Sequence, residues 1–461
     1  MLTILAAIVL IAEIFTDAKN KKSVINIALI GFGLATIIGF LPTERGTIFG
    51  GMYQTSPLHV MMKNVLNIGV LIFFLQSTDW IKKPQNSQKI SEYFILIIAT
   101  LIGMNFMISS GDFLMFYIGL ETASIPLAAL VAYEKIKNKS AEAGVKFILI
   151  SALSSGIMLY GISMIYGTTG SIYFEEVVKS IGNQPLQVMA FIFFFAGMAF
   201  KISLVPFHLW TADVYEGAPV NITAYLSVIS KGAATFIFTI ILFKVFKNIV
   251  IEWEKLIWII SIITMTIGNL FAIRQTNIKR FLAFSSIAQA GFILLGVLGN
   301  NQLGMATIVY FVLIYIFSNL GAFGVISVIS NRTGKENISD YNGLYQTNPK
   351  LSLIMMLSLF SLAGIPPVAG FFGKYFLFTA AAQRGFFILV LLAVLNTIIS
   401  LYYYLIVVKA IFIDKNDNPI EPIKSDLNAR IALIICVIGL FVVGLASPIF
   451  EWFNHLAYGI N

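Results

Sequence analysis

The sequence predicts an all-α polytopic membrane protein of about fourteen transmembrane helices, on three observations. Of its 461 residues, 58% are hydrophobic and only 11% are charged, where a soluble globular chain carries about 25% charged residues. Mean hydropathy is +0.88. The apolar residues form continuous runs, about 20 residues being what a bilayer core requires, rather than the alternating ten-residue strands of a β-barrel.

In chain order the runs are 2–16, 24–41, 58–76, 91–109, 111–132, 141–166, 187–207, 218–246, 256–273, 281–298, 303–330, 350–382, 385–412 and 429–452. The first is short. With no basic head or cleavage site, "MLTILAAIVLIAEIFTDAKNKK" reads as a retained span rather than a signal peptide. The second holds "GFGLAT", a dinucleotide-like fingerprint with no strand before it, so its glycines are read as helix-packing positions. The seventh is broken near Pro206, and the twelfth is long and interrupted by "GIPPVAG", with Pro366 and Pro367. The longest polar connections run about 20 residues, too short for a soluble domain.

Basic residues orient these runs. Nineteen Lys and Arg fall in odd-numbered connections or at the run ends beside them, and six in or beside even-numbered ones. This asymmetry places the odd connections in the cytoplasm and both termini on the opposite, periplasmic side. The net charge of +8 is accounted for by that bias, and no nucleic-acid partner is expected. One cysteine, Cys436, and three scattered histidines, His59, His208 and His455, argue against a disulfide or a metal cluster.

Five lysines fall at least five residues inside the runs: Lys63, Lys146, Lys201, Lys231 and Lys374. A charge at the centre of a transmembrane helix costs about 2.5–3.5 kcal/mol, and such groups mark ion paths facing a bundle interior. Lys201, Lys231 and Lys374 are deep in their runs. Glu121 joins them, nine residues after Asp112 and so about 14 Å along a helix. Lys146 follows Glu142 by four residues, the favourable order for a helical ion pair, and is a candidate relay. His208, two residues beyond Pro206, is another. Lys63 is near the start of its run and reads as snorkelling to the interface.

The two broken runs are five apart, an offset that inverts topology. Interrupted spans at matching places in two halves point to inverted repeats with a site near the midplane. The expected division is residues 1–90 for spans 1–3, 91–246 for a first repeat of spans 4–8, 256–412 for a second repeat of spans 9–13, and 429–461 for span 14. The helix breaks are expected to admit water and polar groups to the lysines, because freed backbone is tolerated only where buried or wet.

"YIGLETASIPLAAL", "AGVKFILISALSSGIMLYG", "FKISLVPFHLWTADVYEGAPVNITAYLSVISKGAA", "IKRFLAFSSIAQAGF" and "AGIPPVAGFFGKYFLF" closely resemble the antiporter-like membrane subunits of bacterial proton-pumping NADH–quinone oxidoreductase (complex I), and the subunit N family above all. The run Tyr215 to Pro219 favours N. A lysine in the twelfth span argues against the M family, and the absence of a long lateral helix against L. The resemblance implies a translocase subunit of the bacterial inner membrane that moves protons while quinone is reduced elsewhere in the complex. It implies that Glu121 is paired with Lys201, that Lys231 is the central lysine and Lys374 the terminal one, and that Lys146 and His208 belong to the hydrophilic axis. It implies neighbours, namely subunit M and the small subunits J and K. It implies that this chain holds no cofactor, with NADH, FMN, iron–sulfur clusters and quinone bound by other subunits. A Na⁺(K⁺)/H⁺ antiporter subunit and a passive scaffold are the alternatives.

Overall fold

The computed structural model describes residues 1–16 and 22–458. Lys19 and Lys21 of the first connection, and the end of the chain at Asn461, lie outside the described residues. Helices α1 (Leu2–Ile14) and α2 (Lys22–Gly39) lead into an antiparallel hairpin, β1 (Gly46–Ile48) and β2 (Tyr53–Thr55). There follow α3 (Pro57–Ile81), α4 (Ile90–Ile108), α5 (Phe113–Val131), α6 (Asn138–Thr169), short α7 (Phe174–Ser180), α8 (Pro185–Ile202), α9 (Leu209–Gly217), α10 (Val220–Tyr225) and α11 (Lys231–Lys244). A π-helical turn over Leu226–Ser230 joins α10 to α11. The second half holds α12 (Val250–Ile273), α13 (Ile278–Leu298), α14 (Gln302–Thr333), short α15 (Leu344–Thr347), α16 (Pro349–Ala363), α17 (Ala369–Gln383), α18 (Phe387–Phe412), α19 (Leu427–Leu445) and α20 (Ser447–Leu456).

Among the described residues, twelve helical segments are long and apolar enough to cross a membrane. Leu2–Ile14 is shorter, and the twelfth predicted run is two helices, α16 and α17, which brings the crossings to fourteen. The fold is helical as expected, with one small addition and two adjusted bounds. The addition is the hairpin; its Gln54 N–H donates to Ser109 O (2.7 Å) and Met52 O accepts from Gly111 N–H (2.7 Å). The seventh span stops at Ile202, where Ser203 turns left-handed (φ 66°), ahead of Pro206. The run 429–452 is not one helix. Ser447–Pro448 starts α20, because proline suits a first helical turn but not an interior, and α20 packs Phe450 on Phe376 with ring centroids 3.7 Å apart.

The polar connections sort by parity. Among odd ones, Lys83 Nζ donates to Asn331 O (2.8 Å), Arg332 meets Asp79 (3.5 Å), Lys82 meets Asp426 (3.9 Å) and Lys279 meets Glu336 (3.0 Å). Among even ones, Asn248 donates to Val178 O (2.7 Å) and Arg384 meets Glu254 (2.6 Å). Each set gathers at one end of the bundle, as chain crossings at every span require.

The halves repeat each other. Helices α6 and α14 both have 32 residues and both end at a left-handed glycine, Gly170 and Gly334. Asp112 and Asn277 cap α5 and α13 with their side chains. Phe113 N–H then donates to Ile172 O (3.1 Å), and Ile278 N–H to Glu336 O (2.8 Å). Helix α4 crosses α5 as α12 crosses α13: a Cβ on Gly103 would stand 2.4 Å from Ala123 N, and one on Gly268 would stand 2.6 Å from Ala288 N. Both breaks place a left-handed residue, Ser203 or Gly364 (φ 88°), three positions before a proline. The Asp112–Tyr173 bridge joins even connections and the Asn277–Asn337 bridge joins odd ones, so the second repeat is inverted. Residues 304–329 of α14 are all buried, and so is α13 apart from Arg280. Outer helices such as α6 present exposed leucines, Leu149 and Leu153, the faces lipid would cover.

Candidate functional site

Three of the intramembrane lysines are held by neutral groups. Lys201, in the last turn of α8, donates to Ser151 Oγ of α6 (3.0 Å) and to Ser124 Oγ of α5. Glu121 is one turn before Ser124 on the same face of α5, and its buried Oε1 has no hydrogen-bond partner in the protein. Glu121 is within electrostatic range of Lys201, but among the described residues the two form no ion pair. The pairing implied by the resemblance is present here as an electrostatic interaction without direct contact, while Lys201 itself is held by two serines.

Lys231 opens α11 immediately after the π-helical turn, a local widening that recurs at functional sites. It is 5% exposed. Its Nζ donates to Ser286 Oγ of α13 (2.6 Å) and sits 5.5 Å from the ring centroid of Tyr215. A cavity of about 10 Å³ lined by Ile202, Ser286 and Tyr315 adjoins it, about the room one water needs. Ser286 stands nine residues after the Asn277 cap, the register Glu121 has after Asp112. The second repeat thus puts a neutral hydroxyl where the first has a carboxylate. His208, 8% exposed, lies in the break within electrostatic range of Lys231.

Lys374 is 4% exposed. Its Nζ donates to Ala363 O (2.9 Å), a carbonyl freed by the break after α16, and lies 4.7 Å from the Phe292 ring centroid. The break at Pro366 and Pro367 thus supplies the lysine's partner directly. The break near Pro206 supplies no hydrogen-bond partner to Lys201 among the described residues. There the Val205 N–H goes to Thr264 Oγ1 (3.1 Å) and Phe200 O accepts from the Trp210 indole (3.2 Å), so the freed groups are satisfied without Lys201.

A polar track joins the last two lysines. Beside Ser286, Ser285 hydrogen-bonds Tyr404 of α18. One turn further along α13, Gln289 Nε2 donates to Tyr404 Oη (3.3 Å) and to Leu362 O (3.0 Å), next to the Ala363 carbonyl that holds Lys374.

Lys146 lies in a different place. It bridges Glu142 (2.7 Å) and Asp213 (2.8 Å), Arg280 bridges Asp213 (2.7 Å) and Glu216 (3.2 Å), and Lys139 meets Glu216 (3.0 Å). These groups surround a cavity of about 210 Å³ at the odd-connection end of the bundle. Lys63 is latched to its neighbours at the even-connection end. Its Nζ donates to Tyr53 Oη of the hairpin (2.9 Å) and to Ser109 Oγ, because the hairpin folds over the start of α3. The sequence reading missed Ser124, Ser151, Ser286, Gln289, Tyr404, Asp213 and Glu216. Its available signal was polar residues within apolar runs, as in "FSSIAQAGF".

Residues 110–400 match the family described as "NADH:quinone oxidoreductase/Mrp antiporter, TM". The chain is 50% identical, over 99% of its own length and 97% of the relative's, to a protein of Phocaeicola vulgatus named NADH-quinone oxidoreductase subunit N. It is 49% identical, over 99% and 96%, to a protein of the same name from Azobacteroides pseudotrichonymphae. It superimposes on a chain of respiratory complex I from Thermus thermophilus with bound aureothin, with TM-score 0.82 and 27% identity over 97% of this chain and 96% of that one. The chain therefore belongs to the NADH:quinone oxidoreductase/Mrp antiporter transmembrane family, together with relatives named NADH-quinone oxidoreductase subunit N.

Proposed function

We propose that this chain is the proton-translocating N-type membrane subunit of an NADH–quinone oxidoreductase, moving protons along Glu121, Lys201, Lys231 and Lys374. The observation that carries the reading is the set of three deep lysines held by serine hydroxyls and a carbonyl rather than by carboxylates. A scaffold would favour closed ion pairs or apolar packing. An ammonium on a neutral partner exchanges its proton without breaking an ion pair, and the hydroxyl, amide and carbonyl groups between Lys231 and Lys374 offer sites to hold connecting water.

In this reading Lys146, with Asp213 and Arg280, forms the mouth where protons are taken up, and His208 assists transfer toward Lys231. Movement of charge near Glu121 alters its hold on Lys201, which loads or empties that lysine. Residues 91–246 and 256–412 act as the two half-channels, flanked by spans 1–3 and span 14. The odd connections face the cytoplasm, both termini face the periplasm, and the membrane is the bacterial inner membrane. Subunits M, J and K are the neighbours. NADH, FMN, iron–sulfur clusters and quinone are bound elsewhere in the complex, and this chain supplies proton movement alone.

Glu121→Gln tests the reading, since it keeps size and removes charge. In vesicles, the assembled complex carrying it should lose most quinone-driven proton uptake at near-normal assembly. Normal pumping in that variant would remove Glu121 from the path. A reporter placed at residues 331–349 should behave as cytoplasmic and one in the hairpin turn as periplasmic; the reverse pattern would overturn the orientation.

A further inference from the structure

At the even-connection end of the bundle a cavity of about 480 Å³ is lined by Arg45, His59, Lys244, His455 and Tyr458, with Glu175 as its one acid. These groups come from separate elements: the segment before β1, the first turn of α3, the last residue of α11, the end of α20 and its C-terminal flank, and α7. Among the described residues neither Arg45 nor Lys244 makes an ion pair, although Glu175 lies within electrostatic range of Lys244. His59 is 4% exposed, and its Nδ1–H donates to Gln54 O (3.3 Å), which fixes the ring in the wall of the cavity and leaves Nε2 an acceptor. Two cations, Arg45 and Lys244, converging on one cavity repel one another, and an anion there would relieve that repulsion.

The surroundings name the anion's source. These groups sit in the even-numbered connections or at the helix ends beside them, the level at which a bundle meets lipid headgroups. The same hairpin exposes Ile48 and Phe49, and α20 with its flank exposes Trp452 and Tyr458. Aromatic and apolar groups at that level are what an interface carries. Arginine and lysine beside a helix N-terminus are suited to a phosphate.

We propose that this cavity binds the phosphate of an anionic phospholipid, with Arg45 and Lys244 as the charged ligands and His455 as a further donor. The site lies apart from the lysine axis and does not depend on the proton-path reading.

The test places a photoreactive benzoylphenylalanine at position 458 in the assembled complex and reads lipid adducts on this chain by mass spectrometry. Adducts are expected in phosphatidylglycerol vesicles and should fall about tenfold in phosphatidylcholine vesicles, or when Arg45→Gln and Lys244→Met are combined, as loss of two charge-assisted contacts requires. Where that double variant fails to assemble, Glu175→Gln serves instead and should raise the adduct yield by removing the one opposing charge. Millimolar inorganic phosphate that abolishes the adduct would assign the same phosphate chemistry to the free ion. Equal adducts in both lipids with no effect of either substitution, or a crosslink to a neighbouring polypeptide instead of lipid, would overturn the proposal.

Discussion

Lys231→Met is the most informative perturbation of the lysine axis. Methionine has nearly the length of lysine, and the cavity beside Lys231 is only about 10 Å³, so the side chain fits without opening a void. The variant loses the Ser286 contact at 2.6 Å; hydrogen bonds to charged groups contribute about 1.5–3 kcal/mol. It also removes a charge from the bilayer centre, whose insertion costs about 2.5–3.5 kcal/mol. These terms oppose and nearly cancel, so assembly should stay close to normal. Function should not, because a thioether neither accepts nor releases a proton. Quinone-driven proton uptake, measured in vesicles and normalised to assembled complex, should fall at least about tenfold, which corresponds to ~1.4 kcal/mol of barrier. Lys231→Arg should recover little, since a guanidinium holds its proton and its planar head exceeds the space available. Full uptake in Lys231→Met would show that the lysine only packs helices, and failed assembly of that variant would restore the scaffold reading.

Three further outcomes follow from the geometry. Lys63→Met should not be silent: it frees Tyr53 and Ser109 and so unlatches the hairpin from α3 and α4, which faster proteolysis within residues 46–55 would reveal, and an unchanged cleavage rate would refute the latch. Lys146→Met should slow proton uptake only a few-fold, because Arg280 and Glu216 keep the mouth charged, and the defect should shrink at high salt, where partly exposed charges are screened; a block as deep as that of Lys231→Met would move Lys146 into the obligatory path. Ser286→Ala should leave Lys231 without its hydroxyl partner and lower uptake without preventing assembly, and Ser286→Thr, which restores a hydroxyl, should recover it; equal activity in both would show that the contact has no part in transfer.

What could be read from the sequence is what depends on one helix at a time. Hydropathy over windows of membrane length counted the crossings, since the bilayer imposes that length on every span. The parity of basic residues matched the sorting of connections now seen at the two ends of the bundle. Lysines out of place in lipid were conspicuous for the same reason, and the Glu142–Lys146 pair was legible because its spacing is set by the helical repeat itself. The breaks in the seventh and twelfth spans announced themselves through proline.

The partners of those lysines were decided only by tertiary structure. Ser286 is 55 positions from Lys231, and Ser151 and Ser124 are 50 and 77 from Lys201. Nothing in a hydropathy run states how a helix is rotated about its axis or which neighbour it faces. That rotation gives Ser124 and Ser151 to Lys201 and the Ala363 carbonyl to Lys374. It also leaves the earlier break to Thr264 and Trp210, and it folds a hairpin over Lys63. The sequence by itself determined how many times this chain crosses the membrane and which charges it carries inward. Close packing between helices distant in sequence decided what each charge touches, because those contacts are set by the fit of many side chains at once.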